Sequence, residues 1–225
     1  KLLSDVLDYS DHTLSDGTRE VIDMGFVLTN PIRNIVKSKT RNFNLKFAQK
    51  FYSWVMNGES DVSKLIPYNN NAKKYHDENC GQNTAYGVRI LPQIDQILDE
   101  LKHSSESRRA SIQILDADDK ELLPMKRMGE TNIEFPCTES LTFLIRDNKL
   151  HMKVNMRSNN MTTTVCYDVY IFTRIMEFIR YKLLVDYPNL ELGNYYHNIT
   201  SAHILGSEVV LARDILDEYE KSFWG

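Results

Sequence analysis

Residues 133–158 read IEFPCTESLTFLIRDNKLHMKVNMRS, and this stretch decides the fold. From Leu141 onward it forms two runs in which apolar and polar residues alternate, the first through Phe143 and Ile145. Alternation with a period of two is the mark of a strand with one buried face. Asp147-Asn148, between the runs, is a turn pair suited to a tight hairpin. Pro136-Cys137 interrupts the stretch where its first strand should begin. Free cysteine is among the residue types most often buried, and it then behaves as a small hydrophobe. A nucleophilic thiol instead needs cationic neighbours. Both readings of Cys137 stand at this point.

Working outward, TREVIDMGFVL (18–28) reads as a strand rich in β-branched and aromatic residues. NLKFAQKFYSWVMNG (44–58) sets Leu45, Ala48, Phe51, Tyr52 and Val55 at helical spacing, with Gly58 as the stop. Residues 59–84 are polar and Asn-rich, which predicts a long loop. QIDQILDELKHS (93–104) is an amphipathic helix, and RRASIQIL (108–115) leads into a strand. YDVYIFTRIMEFIRYKLLVDY (167–187) is apolar nearly all round, so it predicts a buried central helix. YYHNITSAHIL (195–205) reads as a last strand, and LARDILDEYEKS (211–222) as a polar helix. Strands and helices mixed in one unit predict an α+β fold, and the absence of a linker predicts a single domain over 1–225.

The chain has 225 residues, 42% of them hydrophobic and 26% charged, as in globular proteins. Its net charge of −4 argues against a general nucleic-acid partner. No apolar run reaches the length of a membrane span, and no leader-like segment opens the chain, which starts at Lys1. Cys80, Cys137 and Cys166 form no CxxC pair, so a reducing, cytoplasmic setting is expected, with no metal site. The sequons at Asn160 and Asn198 carry no weight in that setting.

Singly, the charged residues have bland readings. Arg108-Arg109 and Arg157-Ser158 are solvated strand ends, His203 is a structural histidine, and Asp168 caps or charges the first turn of its helix. Together, two arginine clusters and a cysteine could make an anion site beside a thiolate, since the planar fork of Arg suits phosphate.

Order changes the weighing. YHDENCGQNTAYG (75–87), IDQILDELKHSSESRR (94–109), FPC (135–137), MRSNN (156–160), YDVY (167–170) and SAHIL (201–205) follow one another. This series resembles the thymidylate synthase family over residues 75 to 205. That resemblance implies a thymidylate synthase-like fold, with sheets packed back to back in a homodimer. It implies that Cys137 adds to C6 of a pyrimidine nucleotide, so that C5 attacks the one-carbon unit of 5,10-methylenetetrahydrofolate. Arg157 and Ser158, with Arg108 and Arg109 of the second subunit, match the phosphate ligands, and Arg157 would also lower the pKa of Cys137. Tyr86 matches the tyrosine tied to proton removal from C5, and His203 the histidine that bonds the sugar.

Departures refine the resemblance. Asp168 stands where thymidylate synthases carry Asn. An ionised carboxylate only accepts hydrogen bonds, whereas cytosine offers an amino group and a bare N3. Asp168 and VNMRSNN (154–160) are similar to the phage-type deoxycytidylate hydroxymethylase branch, which implies dCMP, or CMP, as substrate and a 5-hydroxymethyl product. Phe51 falls where the family has its catalytic Glu, Ala72 near the folate-side Trp, Asn160 at an Asp, and Leu205 at a sugar-binding Tyr. Two alternatives stay open: a C5 methyltransferase acting on dCMP or dUMP, and a nucleotide-binding protein without catalysis.

Overall fold

The computed structural model of the chain describes residues 1–75, 85–121 and 136–224. A short helix α1 (Leu2–Asp8) leads to β1 (His12–Thr13) and the long strand β2 (Arg19–Leu28). Helix α2 (Leu45–Met56) follows, opened by the Asn44 side chain, which accepts from the Phe47 N–H. Next come α3 (Tyr86–His103) and β3 (Ser111–Gln113). The hairpin β4 (Thr138–Arg146) and β5 (Lys149–Asn160) precedes α4 (Val165–Leu183), β6 (Glu191–Ile204) and α5 (Val209–Trp224).

Asp147 and Asn148 have φ of 50° and 58°, the left-handed pair of a tight hairpin turn, and Arg146 pairs with Lys149 across it. The strands form one mixed sheet in the order β1-β2-β6-β5-β4-β3. Every pairing is antiparallel except β5 with β6. A parallel pair needs a crossover, and α4 supplies it. Its all-round apolar character follows, because Ile171, Phe172, Ile175, Met176 and Ile179 are enclosed in a core shared with the sheet, α2 and α3. The α+β reading therefore holds.

Three details differ from the expectation. Residues 59–84 are not uniformly a loop: 3-10 turns span Val62–Leu65 and Asn70–Tyr75, anchored by buried Val62 and Leu65. Residues 76–84, Cys80 included, lie outside the described residues. Helix α3 starts at Tyr86 rather than 93 and carries Pro92 inside it. A proline reads locally as a stop, but packing overrides it here. A Cβ on Gly87 would stand 2.0 Å from the Val55 carbonyl oxygen, so the start of α3 lies directly against the end of α2. Helix α1 has no strong local signal and is held by burial of Val6 and Leu7 in a second cluster with Ile199, Ile204 and Ala212.

Candidate functional site

The hairpin brings the thiol and its cation together. Cys137 stands one residue before β4, and the register pairs Thr138 with Met156, which sets Arg157 beside Cys137. The Arg157 backbone N–H donates to the Cys137 carbonyl at 2.9 Å. Its Nε donates to the Pro136 carbonyl at 2.8 Å, which aims the guanidinium so that Nη2 lies 3.7 Å from Cys137 Sγ. Cys137 keeps part of its surface exposed, while Cys166 is buried and its thiol is pushed up to about 11, chiefly by that burial.

The crossover adds the next pieces. In the parallel register Ser158 lies opposite Ser201 and Asn160 opposite His203. Ser158 Oγ comes within 3.4 Å of His203 Nδ1. Asp168, in the first turn of α4, does not cap its helix. Its side chain turns inward, is only 8% exposed, and accepts from Asn159 Nδ2 at 2.8 Å through Oδ2. Burial raises its carboxyl to about 7, with hydrogen bonds from Asn159 and Thr164 pulling the other way. Tyr86 packs its ring against Phe172 of α4. Burial raises its phenol far above the usual range, and negative charge on Cys137 and on Asp168 adds to this. One chain thus gathers Cys137, Arg157, Ser158, His203, Tyr86 and Asp168 around the start of β4, the ends of β5 and β6, and the starts of α3 and α4.

The other expected residues sit differently. Arg108 and Arg109 are exposed just before the edge strand β3, and Arg109 binds Glu100 of α3 through Nε and Nη2, each at 3.0 Å. Phe51 is half-buried between Phe47 and Trp54, with ring centroids 5.6 and 5.9 Å away. Ala72 is buried. Asn160 Oδ1 accepts from the N–H groups of Thr162 and Thr163, and Nδ2 donates to Glu208 Oε2 at 2.7 Å. Leu205 is exposed.

Reading the sequence missed a buried polar chain behind Asp168. Tyr195 Oη lies 2.6 Å from His197 Nδ1, and His197 Nε2 lies 3.1 Å from Asn159 Oδ1. A histidine on the core-facing side of an alternating strand was the available signal.

Among the described residues no helix is long and apolar enough to cross a membrane, and no group of three or more His, Cys, Asp or Glu could hold a metal ion.

Residues 10–223 match the family model described as Thymidylate synthase. The deoxyuridylate hydroxymethyltransferase of Bacillus phage SP01 is 26% identical over 222 residues, covering 90% of this chain and 55% of its own length. That of Delftia phage PhiW-14 is 26% identical over 217 residues, covering 92% of this chain and 58% of its own. The thymidylate synthase of Bacillus subtilis subsp. natto is 23% identical over 180 residues, covering 73% of this chain and 59% of its own. The chain thus spans between half and three fifths of the length of these relatives. The solved structure of thermostable thymidylate synthase A from Bacillus subtilis superposes with a TM-score of 0.71 at 21% identity, over 94% of this chain and 80% of that one. With the fold shared and the family match running almost from end to end, the chain belongs to the thymidylate synthase family.

Proposed function

We propose that this chain is a pyrimidine nucleotide C5 hydroxymethylase that takes dCMP, or CMP, to its 5-hydroxymethyl derivative. In this reading residues 1–225 form one domain that works as a cytoplasmic homodimer. The observation that carries it is the guanidinium of Arg157 held 3.7 Å from Cys137 Sγ by its bond to Pro136. It gives a thiolate the cationic neighbour that such nucleophiles need.

The steps follow from the chain's own residues. Arg157 and Ser158 hold the nucleotide phosphate, joined by Arg108 and Arg109 from the second subunit, and His203 bonds the sugar. The Cys137 thiolate adds to C6, forming the S–C6 bond, and the electrons of the C5–C6 double bond collect on C5 and, through the C4=N3 bond of cytosine, on N3. C5 is then nucleophilic, and Tyr86 stands to take part in removing its proton. Asp168 reads the base. A neutral carboxyl donates to cytosine N3 through its O–H and accepts from the amino group, and the raised Asp168 keeps a neutral form in play near pH 7.

The one-carbon donor in this reading is the family's 5,10-methylenetetrahydrofolate. The three positions at which the resemblance seeks its contacts do not fit it. Asn160 turns its side-chain oxygen to Thr162 and Thr163 and its nitrogen to Glu208, Phe51 packs among rings, and Ala72 is small and buried. The chemistry drawn from these residues therefore ends at the C5 nucleophile.

A second reading, with dUMP as the substrate, is favoured by the two phage relatives, whose names specify deoxyuridylate. The test is to incubate the protein with C5-tritiated dCMP or dUMP and methylenetetrahydrofolate, then to weigh the product. Tritium release from dCMP with a hydroxymethyl product is expected. Release from dUMP alone replaces the substrate, and a methyl product replaces the quenching step. Nucleotide binding with no release makes the chain a binding protein and overturns the enzymatic reading.

A further inference from the structure

The polar chain behind Asp168 has a direction. His197 is fully buried, and that burial pushes its imidazole down to about 3, so it is neutral and carries one donor and one acceptor nitrogen. The ring is clamped by Phe26, stacked at 4.9 Å and 19°. Asn159 decides which nitrogen bears the hydrogen. Its amide nitrogen has two acceptors in reach, Asp168 Oδ2 at 2.8 Å and Thr164 Oγ1 at 3.2 Å. Turning the amide over would set its carbonyl oxygen against the ionised Asp168 carboxylate and against Thr164 Oγ1, whose hydroxyl donates to the Asn160 backbone carbonyl. The carbonyl therefore faces His197, and Nε2 donates to it at 3.1 Å. Nδ1 is then the acceptor and takes the Tyr195 O–H at 2.6 Å. Tyr195 is fully buried and its phenol stays protonated. Donors thus run one way, from Tyr195 to His197 to Asn159 to Asp168.

We propose that Tyr195, His197 and Asn159 are positioning residues that hold Asp168 Oδ2 as the accepting oxygen, and so set the discrimination between amino- and oxo-pyrimidines. This rests on the reading of Asp168 as the residue that faces the base. With Oδ2 held by a donor, the proton of the neutral carboxyl belongs on Oδ1. Asp168 then presents one fixed pattern, a donor at Oδ1 and an acceptor at Oδ2. The two bases demand opposite patterns at ring positions 3 and 4. Cytosine accepts at N3 and donates from its amino group, whereas uracil donates from N3 and accepts at O4. A fixed pattern matches one of them. If the chain of donors is broken, Asn159 is free to turn over and the proton can move to Oδ2, where the pattern matches the other base. The residues behind Asp168 therefore govern selectivity without touching the nucleotide.

Two measurements test this. In protein with ¹⁵N-labelled histidine, the His197 resonance is identified by its loss in His197→Phe. A neutral ring with hydrogen on Nε2 is expected between pH 8 and pH 5. Hydrogen on Nδ1, or a cationic ring at neutral pH, overturns the direction and with it the proposal. Second, calorimetric titration gives the affinities of wild type, Tyr195→Phe and Asn159→Ala for dCMP, dUMP and 2-deoxyribose 5-phosphate. Loss of a matched polar edge costs orders of magnitude, so the dCMP-to-dUMP ratio should move toward one by ~10-fold or more. The base-free sugar phosphate should keep its affinity, which a merely structural loss would not allow. Tyr195→Phe removes one hydroxyl from a ring that stays in place, so it covers the case in which Asn159→Ala fails to fold. Folded variants with an unchanged ratio overturn the proposal and leave the function standing. Wild type that binds neither nucleotide sinks both, whatever the histidine shows.

Discussion

Arg157 grips the backbone on both sides of the Cys137 α-carbon. Its side chain donates to the carbonyl of Pro136 and its backbone N–H to the carbonyl of Cys137. The guanidinium is thus held over Sγ by the polypeptide itself, before any nucleotide arrives. Cys137→Ser should lower C5 hydrogen release by ~10³-fold or more while dCMP affinity changes little, because the sulfur acts on the reacting carbon rather than in binding. Arg157→Lys should also lose activity, since an ammonium cannot make the forked contact. Tritium release assays on both variants check this. A crippling effect of Cys166→Ser instead would move the nucleophile elsewhere.

Asp168→Asn replaces an acid whose proton placement depends on its neighbours with a fixed donor and acceptor. An amide accepts from uracil N3–H and donates to O4. The variant should gain affinity for dUMP and lose it for dCMP, with a change in the ratio of ~10²-fold or more. Competition between the two nucleotides on wild type and variant side by side reads this directly. An unchanged preference would mean that Asp168 does not face the base.

The same buried chain predicts opposed pH effects on stability. Asp168 is raised from 3.8 to about 7, so between these values the folded state keeps a proton that the unfolded state releases. Folding weakens as pH rises across that window. His197 is lowered from 6.5 to about 3, so the unfolded state binds a proton that the folded state refuses, and folding weakens as pH falls across its window. Tyr86, Tyr195 and Cys166 also feel the Asp168 charge, but each is pushed upward and stays protonated through this range. The two effects offset each other between pH 4 and 6.5, each on the order of 2–4 kcal/mol. Asp168→Asn removes only the first, so relative to wild type it should gain stability at pH 7–8 and lose that gain toward pH 4. Urea melts at stepped pH measure the difference, and a gain that is the same at every pH would contradict the assignment.

Arg108 and Arg109 lie exposed ahead of β3, and in the proposed homodimer they complete the neighbouring phosphate pocket. Mixing inactive Cys137→Ser chains with inactive Arg109→Ala chains should then restore activity, because each hybrid dimer holds one intact site. At equal mixing and full exchange the recovery approaches roughly a quarter of wild type. No recovery under demonstrated exchange would rule out the shared site.

Gly87 separates α3 from the Val55 carbonyl, and a Cβ there would stand 2.0 Å from that oxygen. Gly87→Ala must push the two helices apart, at a cost of ~1–3 kcal/mol. Because Tyr86 is the adjacent residue, the loss of activity should exceed what the unfolded fraction explains. Thermal melts and turnover measured at a temperature well below the melt separate the two effects.

What was legible in the sequence was what leaves a local trace. Alternation from Leu141 to Met156 and the Asp147-Asn148 turn gave the hairpin, and the apolar belt of 167–187 gave the crossover helix. The first turns of α3 were hidden because Pro92 contradicts them locally, while the contact that fixes them, Gly87 on Val55, joins residues far apart in sequence. Cys137, Arg157, Asp168 and His203 were found by their order along the chain. The parallel pairing of β5 with β6 has no local mark, so the inward turn of Asp168 and its link through Asn159 to His197 could not be read. Asn159 and His197 are 38 residues apart, and only the register of two strands brings them together.

That register also fixes the order in which the protein can be made. β6 is the last strand synthesised, yet it lies between β2 and β5 in the sheet. A nascent chain that has passed the hairpin holds Cys137 and Arg157 side by side, but Asn159 and Asp168 still lack His197, and among the described residues β2 then pairs only with the two residues of β1. Until Glu191–Ile204 leaves the ribosome and threads into place, both flanking strands present open edges, the feature most prone to wrong pairing. A transcript cut short just before β6 would therefore yield a chain with a finished hairpin and two sticky edges, a substrate for chaperones and proteases rather than a slower enzyme.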